Sequence, residues 1–344
     1  MKAFVTGATG NLGKLLIEQL IQLGWSVDAL VPPEEDASFL VKKGITIFKG
    51  DITDRLTVDR AIGKAIPDIL FHLAAYVQIG SVEDSTIKAY MYDVNVNGTR
   101  NVLKSALQQN VNKVVYLSSV AIYSPLKGDV IINEDISPHG GHMTEYNKTK
   151  YLAYEEALSI QEQGLALLVF MPGIIFGPGF LWTVSLLESL HKGKRMYLPN
   201  GCDKIKIPMV FSRDLVRAIF AGIEKNRFGE QYIMVGSSVT LQEINTLLSE
   251  ITGKEINWKF ISYRKAFLAA YLFGALSKFV GRTPRITSKR VKTLYSKFGQ
   301  LKNWQQFDTS KARRELHWEP TPLKDAFKAT ADWFSQNYAE EESS

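Results

Sequence analysis

The sequence predicts an α/β fold, a doubly wound parallel sheet with a smaller, interleaved C-terminal lobe. Three observations carry this reading. Short, nearly continuous apolar runs rich in branched and aromatic residues punctuate the first half of the chain, as strands buried on both faces require. Stretches of helical periodicity separate them, and such alternation implies parallel pairing through right-handed crossovers. After Pro172 the regular alternation gives way to Gly173, Gly177, Pro178 and Gly179, where the second lobe is expected to begin.

In chain order, strands are expected over 3–6, 27–31, 46–48, 69–73 and 114–118. A helix over 12–23 follows from Leu12, Leu15, Leu16, Leu20 and Leu23, and another over 99–109 from Val102, Leu103, Ala106 and Leu107. A sixth strand is expected over 165–171, then a helix over 212–224 and a strand over 231–235. The chain thus returns to the sheet before leaving it again. The first domain is expected to span 1–172 with a return segment of about 207–236. The second lobe takes 173–206 and 237–334, and 335–344 is expected to be a flexible tail. The apolar stretch 266–280 contains Gly274, Ser277 and Lys278 and falls short of the roughly 20 residues that a membrane span needs. It reads as a helix of the lobe, with interfacial membrane contact as the alternative.

Composition narrows the class. At 344 residues and 45% hydrophobic, the chain can bury a sizeable core, which excludes a disordered protein. Cys202 is the only cysteine, so an internal disulfide is excluded and a reducing compartment fits. The first residues enter a strand directly, so no targeting segment is expected and the location is read as cytoplasmic. The net charge of +6 is uneven: residues 256–307 carry eleven Lys/Arg and no Asp/Glu. That stretch reads as a solvated basic face, as a site for an anionic substrate, or as a peripheral membrane contact through 264–302. No nucleic-acid partner and no metal site are read from the sequence.

The first predicted strand runs into Thr6-Gly7-Ala8-Thr9-Gly10-Asn11-Leu12-Gly13, and a helix starts inside that run. Glycine permits a tight turn and lets the backbone approach a pyrophosphate, while the helix N-terminus offers unpaired N–H groups and the positive dipole end. The third glycine allows close packing of helix on strand. The spacing is G-x-x-G-x-x-G rather than the G-x-G-x-x-G of the common dinucleotide fingerprint.

With this loop, several further motifs occur in order. They are Gly50-Asp51-Ile52, His72-Leu73-Ala74-Ala75, Asn95-Val96-Asn97-Gly98-Thr99, Leu117-Ser118-Ser119, Tyr146-Asn147-Lys148-Thr149-Lys150 and Pro172-Gly173. Together they resemble the extended short-chain dehydrogenases/reductases, the superfamily of nucleotide-sugar epimerases, dehydratases and dihydroflavonol reductases, over residues 1–334. The resemblance implies a Rossmann domain that binds NAD or NADP through Gly7, Thr9, Gly10, Asn11, Leu12 and Gly13. It also implies that Asp51 and Ile52 flank the adenine, that Leu73, Ala74 and Ala75 leave room for the cofactor, and that Pro172 and Gly173 lie beside the nicotinamide. Asp51 can equally be a turn residue before a helix. His72 reads as a packed strand histidine, because its neighbours are apolar.

The choice between NAD and NADP is usually written at the end of the second strand, as an acidic residue or an arginine. Here that region reads Leu30-Val31-Pro32-Pro33-Glu34-Glu35, and it leaves the choice open.

Tyr146 and Lys150 are four residues apart on an expected helix and so share a face. A tyrosine titrates near ~10, so it needs a nearby positive charge to serve as a base at neutral pH. Lys150 is expected to lower it and to hold the ribose. Ser119, just after the fifth strand, is expected to hydrogen-bond the reacting oxygen, with Ser118 as the adjacent alternative. Asn95 takes the position that supports the lysine in this superfamily.

Nucleotide-sugar enzymes of the superfamily usually have arginine where this chain has Met171, and Ser212-Arg213 replaces a commoner pair. The sequence resembles dihydroflavonol-4-reductase-like oxidoreductases. The expected activity is therefore hydride transfer between nicotinamide and the carbonyl or hydroxyl of a small, fairly apolar substrate. An epimerase or dehydratase with recycled NAD stays open, as does a non-catalytic dinucleotide sensor. The resemblance also implies a homodimer built on the helices near 97–109 and 146–161.

Overall fold

The computed structural model describes residues 1–77, 84–111, 113–123, 130–139, 144–279, 291–292, 295 and 306–338. The first half runs β1 (Lys2–Thr6), α1 (Asn11–Gln22), β2 (Ser26–Val31), α2 (Ser38–Lys42), β3 (Thr46–Lys49), α3 (Arg55–Ala65), β4 (Ile69–His72), α4 (Ser85–Tyr92), α5 (Thr99–Gln108), β5 (Lys113–Leu117) and β6 (Ile131–Ile132). Then come α6 (Glu145–Glu162), β7 (Ala166–Pro172), β8 (Ile174–Phe176), α7 (Leu181–His191), β9 (Met196–Pro199), β10 (Ile207–Phe211), α8 (Ser212–Glu224), β11 (Gln231–Met234) and β12 (Ser237–Val239). The chain closes with α9 (Leu241–Thr252), β13 (Trp258–Ile261), α10 (Tyr263–Phe279), β14 (Gln306–Phe307), α11 (Ser310–Leu316) and α12 (Leu323–Tyr338).

Seven strands form one parallel sheet in the order β11-β7-β5-β4-β1-β2-β3. On one face, α1 buries Leu12, Leu16, Ile17 and Leu20 against Val5, Ala29 and Phe71. On the other, α3, α5 and α6 bury Val58, Ile62, Val102, Leu103, Tyr154 and Ile160 against Phe4, Leu70 and Val114. The expectation of strands buried on both faces fails at β3. That strand is the sheet edge, and Thr46 and Lys49 are exposed there.

The return to the sheet is made by α8, which packs with α1, and by β11, which pairs with β7. β10 stays outside it and pairs with β8 and β12 in a separate three-stranded sheet. A third core gathers Phe176, Leu187, Leu190, Ile244, Leu248, Phe327 and Phe334 from the second lobe. α12 continues through Tyr338, whose ring stacks on Phe334 at 4.7 Å, so the expected flexible tail is helical for its first four residues. Of the basic segment 264–302, much of the second half lies outside the described residues. Among the described residues, no helix is long and apolar enough to cross a membrane.

Candidate active site

β1 and β4 are neighbours, and the strand order reverses between them, so their C-terminal ends open a crevice. Gly7 leaves β1 with φ +73, and a Cβ there would lie 2.7 Å from the Ala74 nitrogen. A Cβ on Gly13 would lie 2.2 Å from the Gly7 carbonyl oxygen. Both glycines are therefore fixed by packing within the chain. Gly10 differs: it is exposed, and a Cβ there would meet only the Gly7 carbonyl oxygen, at 3.4 Å.

α1 starts at Gly10 with no side-chain cap and no acidic residue in its first turn. By contrast, Asp54, Asp84, Thr144 and Thr240 cap α3, α4, α6 and α9. The N–H groups that begin α1 thus keep their bonding capacity, at the positive end of the helix. A cradle with one open glycine and an uncapped helix end fits a pyrophosphate, and the residues present fit a dinucleotide. The Leu12 side chain is in the core, so only its backbone faces the loop.

Around this loop, the Thr9 hydroxyl donates to the Glu35 carboxylate. The Asn11 amide donates to the Gly179 carbonyl at 2.6 Å and ties the loop after β8 to the start of α1. Asp51 accepts from the Thr53 nitrogen at 2.8 Å, so it does take the turn role. Ile52 is buried against Gly98, where a Cβ would lie 2.6 Å from its Cδ1. Burial, then the charges of Asp51, Glu34 and Glu35, raise the Tyr90 phenol above its ordinary pKa. The Tyr90 ring meets Tyr76 edge-on at 5.2 Å. Leu73, Ala74 and Ala75 are partly exposed where β4 ends.

Beyond β5, Ser119 opens a short 3-10 turn, accepting from the Ala121 nitrogen at 3.1 Å. Its hydroxyl approaches the Pro172 carbonyl at 3.5 Å and lies near enough to the Tyr146 phenol to lower its pKa. Ser118 is buried instead. α6 is aimed at this turn by its first residues. Thr144 caps it by accepting from the Asn147 nitrogen at 3.0 Å, and the Asn147 amide donates to the Ala121 carbonyl at 2.9 Å. Pro172 ends β7, and a Cβ on Gly173 would lie 2.5 Å from the Pro208 carbonyl oxygen, so that glycine permits contact with β10.

Lys150 is buried. Its Nζ donates to the Leu117 carbonyl at 3.0 Å and lies 5.4 Å from the Tyr116 ring centroid. Burial pushes its pKa down to about 8. Burial also pushes Tyr146 up to about 12, against the lowering effect of the nearby Ser119 hydroxyl. The expected lowering of Tyr146 by Lys150 is thus absent from the chain by itself. The ammonium is engaged by Leu117 and Tyr116, and desolvation dominates at the phenol.

Asn95 lies in a π-helical stretch, Asp93–Gly98, between α4 and α5. Its Oδ1 accepts from the Tyr76 nitrogen at 2.7 Å, and its Nδ2 donates to the Tyr76 carbonyl at 3.1 Å and to Thr149 Oγ1 at 3.0 Å. Thr149 in turn donates to the Tyr146 carbonyl at 3.0 Å. Asn95 therefore fastens the loop after β4 to the first turn of α6 and bonds the neighbour of Lys150 rather than Lys150. His72 is buried between Thr6 (2.8 Å) and Thr99 (3.0 Å), and its ring stacks on Tyr116 at 5.6 Å. Burial, then the charge of Lys150, push it down to about 3, so it stays neutral and packed.

The sequence reading missed Glu35 on Thr9, Asn11 on Gly179, and Tyr116 beneath Lys150. The last had a signal: Tyr116 precedes Ser118 by two on one strand and shares its face.

The chain's similarities agree with this architecture. Residues 3–236 match the NAD dependent epimerase/dehydratase family. The chain is 30% identical to sterol demethylase protein B of Methylococcus capsulatus, with 98% of this chain and 99% of that protein covered. It is 28% identical to a "putative dihydroflavonol 4-reductase" of Synechocystis, covering 97% and 94%. Its fold is similar to that of the UDP-glucose 4-epimerase of Thermus thermophilus in complex with NAD. There the TM-score is 0.73 at 22% identity, covering 98% of this chain and 100% of the other.

Proposed function

The chain belongs to the NAD dependent epimerase/dehydratase family, and from that premise we propose that it transfers hydride between NAD and the carbonyl or hydroxyl of a small, fairly apolar substrate. The observation that carries this reading is the placement of Tyr146 near Ser119 and one helical turn before the buried Lys150, at the crevice bordered by the open Gly10. Similarity to a sterol demethylase protein and a "putative dihydroflavonol 4-reductase" supports the apolar substrate, as does buried Met171 ahead of Pro172.

When bound, the nicotinamide supplies or accepts the hydride. The backbone N–H groups of Asn11, Leu12 and Gly13 would hold the pyrophosphate, with Gly7, Thr9 and Gly10 shaping the turn, where the Gly10 nitrogen donates to the Gly7 carbonyl at 3.2 Å. Ala74 and Ala75 leave room beside it, with Leu73, while Asp51 and Ile52 border the adenine and Pro172 and Gly173 the nicotinamide. Tyr146 exchanges a proton with the substrate oxygen at its phenol, and Ser119 hydrogen-bonds that oxygen. Lys150 holds the nicotinamide-side ribose, and Asn95 keeps α6 in register with the cofactor loop. Glu35, anchored by Thr9, favours the 2′-hydroxyl of NAD and repels the 2′-phosphate of NADP.

In this reading residues 1–172, with the return segment of about 207–236, hold the cofactor, and 173–206 with 237–334 hold the substrate. Two copies pair through α5 and α6, which light scattering tests: a monomer at micromolar concentration removes the dimer. The function is tested by incubating the protein with NADH or NAD and a panel of sterols, flavonoids and nucleotide sugars while nicotinamide absorbance is followed. Net oxidation or reduction supports it. Tightly bound cofactor with product formed and no net absorbance change replaces it with the epimerase or dehydratase reading.

A further inference from the structure

α10 is built the wrong way round for a helix on a soluble surface. Of its first ten residues, Ala270 is buried and Ala266 partly buried, and the rest are exposed. Tyr263, Phe267 and Tyr271 form one exposed stripe at four-residue spacing, and Arg264, Leu268 and Leu272 form the next. Leu268, Tyr271 and Leu272 are 57%, 62% and 52% exposed. Large side chains thus face out while Ala266 and Ala270 face in. Scattered surface leucines need no explanation, but a contiguous apolar face on one helix marks an interaction site.

The charges say what meets that face. Lys259, Arg264 and Lys265 are exposed at the N-terminal approach to the helix. The sequence from 256 to 307 holds no Asp or Glu, and the nearest acid upstream is the exposed Glu255, beside Lys254. Exposed aromatic and aliphatic side chains bordered by cations, on a helix too short to cross a bilayer, match a surface that lies in an anionic lipid interface.

We propose that α10 docks the protein onto an anionic lipid bilayer, with Phe267, Leu268, Tyr271 and Leu272 entering the headgroup boundary and Lys259, Arg264 and Lys265 meeting lipid phosphates. This uses no residue of the proposed active site and stands apart from the choice of cofactor. It places the substrate lobe at the membrane, where apolar substrates reside.

The test is flotation of the full chain with vesicles of phosphatidylglycerol and phosphatidylcholine, or of phosphatidylcholine alone, without cofactor or substrate. The expected result is binding to the anionic vesicles that weakens at about 0.5 M salt. K259Q/R264Q/K265Q should bind on the order of 100-fold more weakly, and L268S/L272S should fail to float. Circular dichroism melts confirm that both variants fold. Absence of wild-type binding to anionic vesicles overturns the proposal, as does undiminished binding by both variants. A wild-type oligomer that L268S/L272S converts to monomer also overturns it, by assigning the face to a second copy of the chain.

Discussion

The glycine loop separates fold from function at three positions that look alike in sequence. Gly10 has φ −69, and a Cβ there meets nothing closer than 3.4 Å, so alanine fits the folded chain. Less unfolded-state entropy favours alanine by ~0.4–1 kcal/mol, and loss of a glycine N-cap opposes it by a similar ~1 kcal/mol or less. The melting temperature of Gly10→Ala should therefore stay within about 2 °C of wild type. Its cost falls on the cofactor. A methyl group at the mouth of the cradle displaces the pyrophosphate from N–H donors worth ~1.5–3 kcal/mol each when bonded to charge, so NAD affinity should fall roughly 10- to 150-fold. Gly13→Ala does the reverse. Its Cβ would lie 2.2 Å from a backbone oxygen that cannot swing away, which puts it at or above ~3 kcal/mol of overpacking and a drop of about 5 °C or more. Gly7→Ala combines φ +73 with a 2.7 Å approach to Ala74 and should melt as early. Calorimetric titration with NAD and thermal melts on the three variants provide the assay. If Gly10→Ala binds NAD within twofold of wild type, or Gly13→Ala melts like wild type, the division of labour in this loop is wrong.

Further predictions follow from the same geometry. Glu35→Ser should shift the NADP-to-NAD ratio of kcat/KM upward by on the order of tenfold or more, since it removes a charge opposed to a 2′-phosphate; an unchanged ratio would remove Glu35 from cofactor choice. Burial lowers Lys150 from its ordinary 10.5 to about 8, so between those values the unfolded chain binds more protons and stability rises with pH. That contribution is full above 10.5 and lost as pH falls through about 8. It amounts to at most ~3 kcal/mol, and because Lys150→Met lacks the titrating group, the difference in unfolding free energy between wild type and that variant should carry this pH dependence; a pH-independent difference would contradict it. Asn95→Ala removes the two bonds from Asn95 to the Tyr76 backbone, at about 2 kcal/mol or more in urea unfolding, and should raise KM for NAD; wild-type stability would show that Asn95 does not hold that loop.

What the sequence made legible was local. Seven short apolar runs announced the parallel sheet, because strands flanked by helices on both faces carry no polar alternation. The first strand, its glycine turn and α1 are contiguous, and so are Tyr146 and Lys150 on one helix. The rest depends on chain reversals that no window shows. Thr9 meets Glu35 across 26 residues, and Asn11 meets Gly179 across 168. β8 and β12 are three residues long and pair with β10, too short to show a period. α9 did carry a signal, the Thr240–Glu243 capping box. The Tyr146 pKa could not be read from a four-residue spacing, because burial and the Leu117 carbonyl decide what Lys150 does.

The account rests on Tyr146 as the group that exchanges the proton, and one variant isolates it. Tyr146→Phe keeps the ring and removes the hydroxyl near Ser119. Turnover by this variant, measured by nicotinamide absorbance with a substrate that wild type converts, should fall by about 100-fold or more, while the NAD dissociation constant stays within about twofold. A Tyr146→Phe protein with near-native kcat would contradict the central claim.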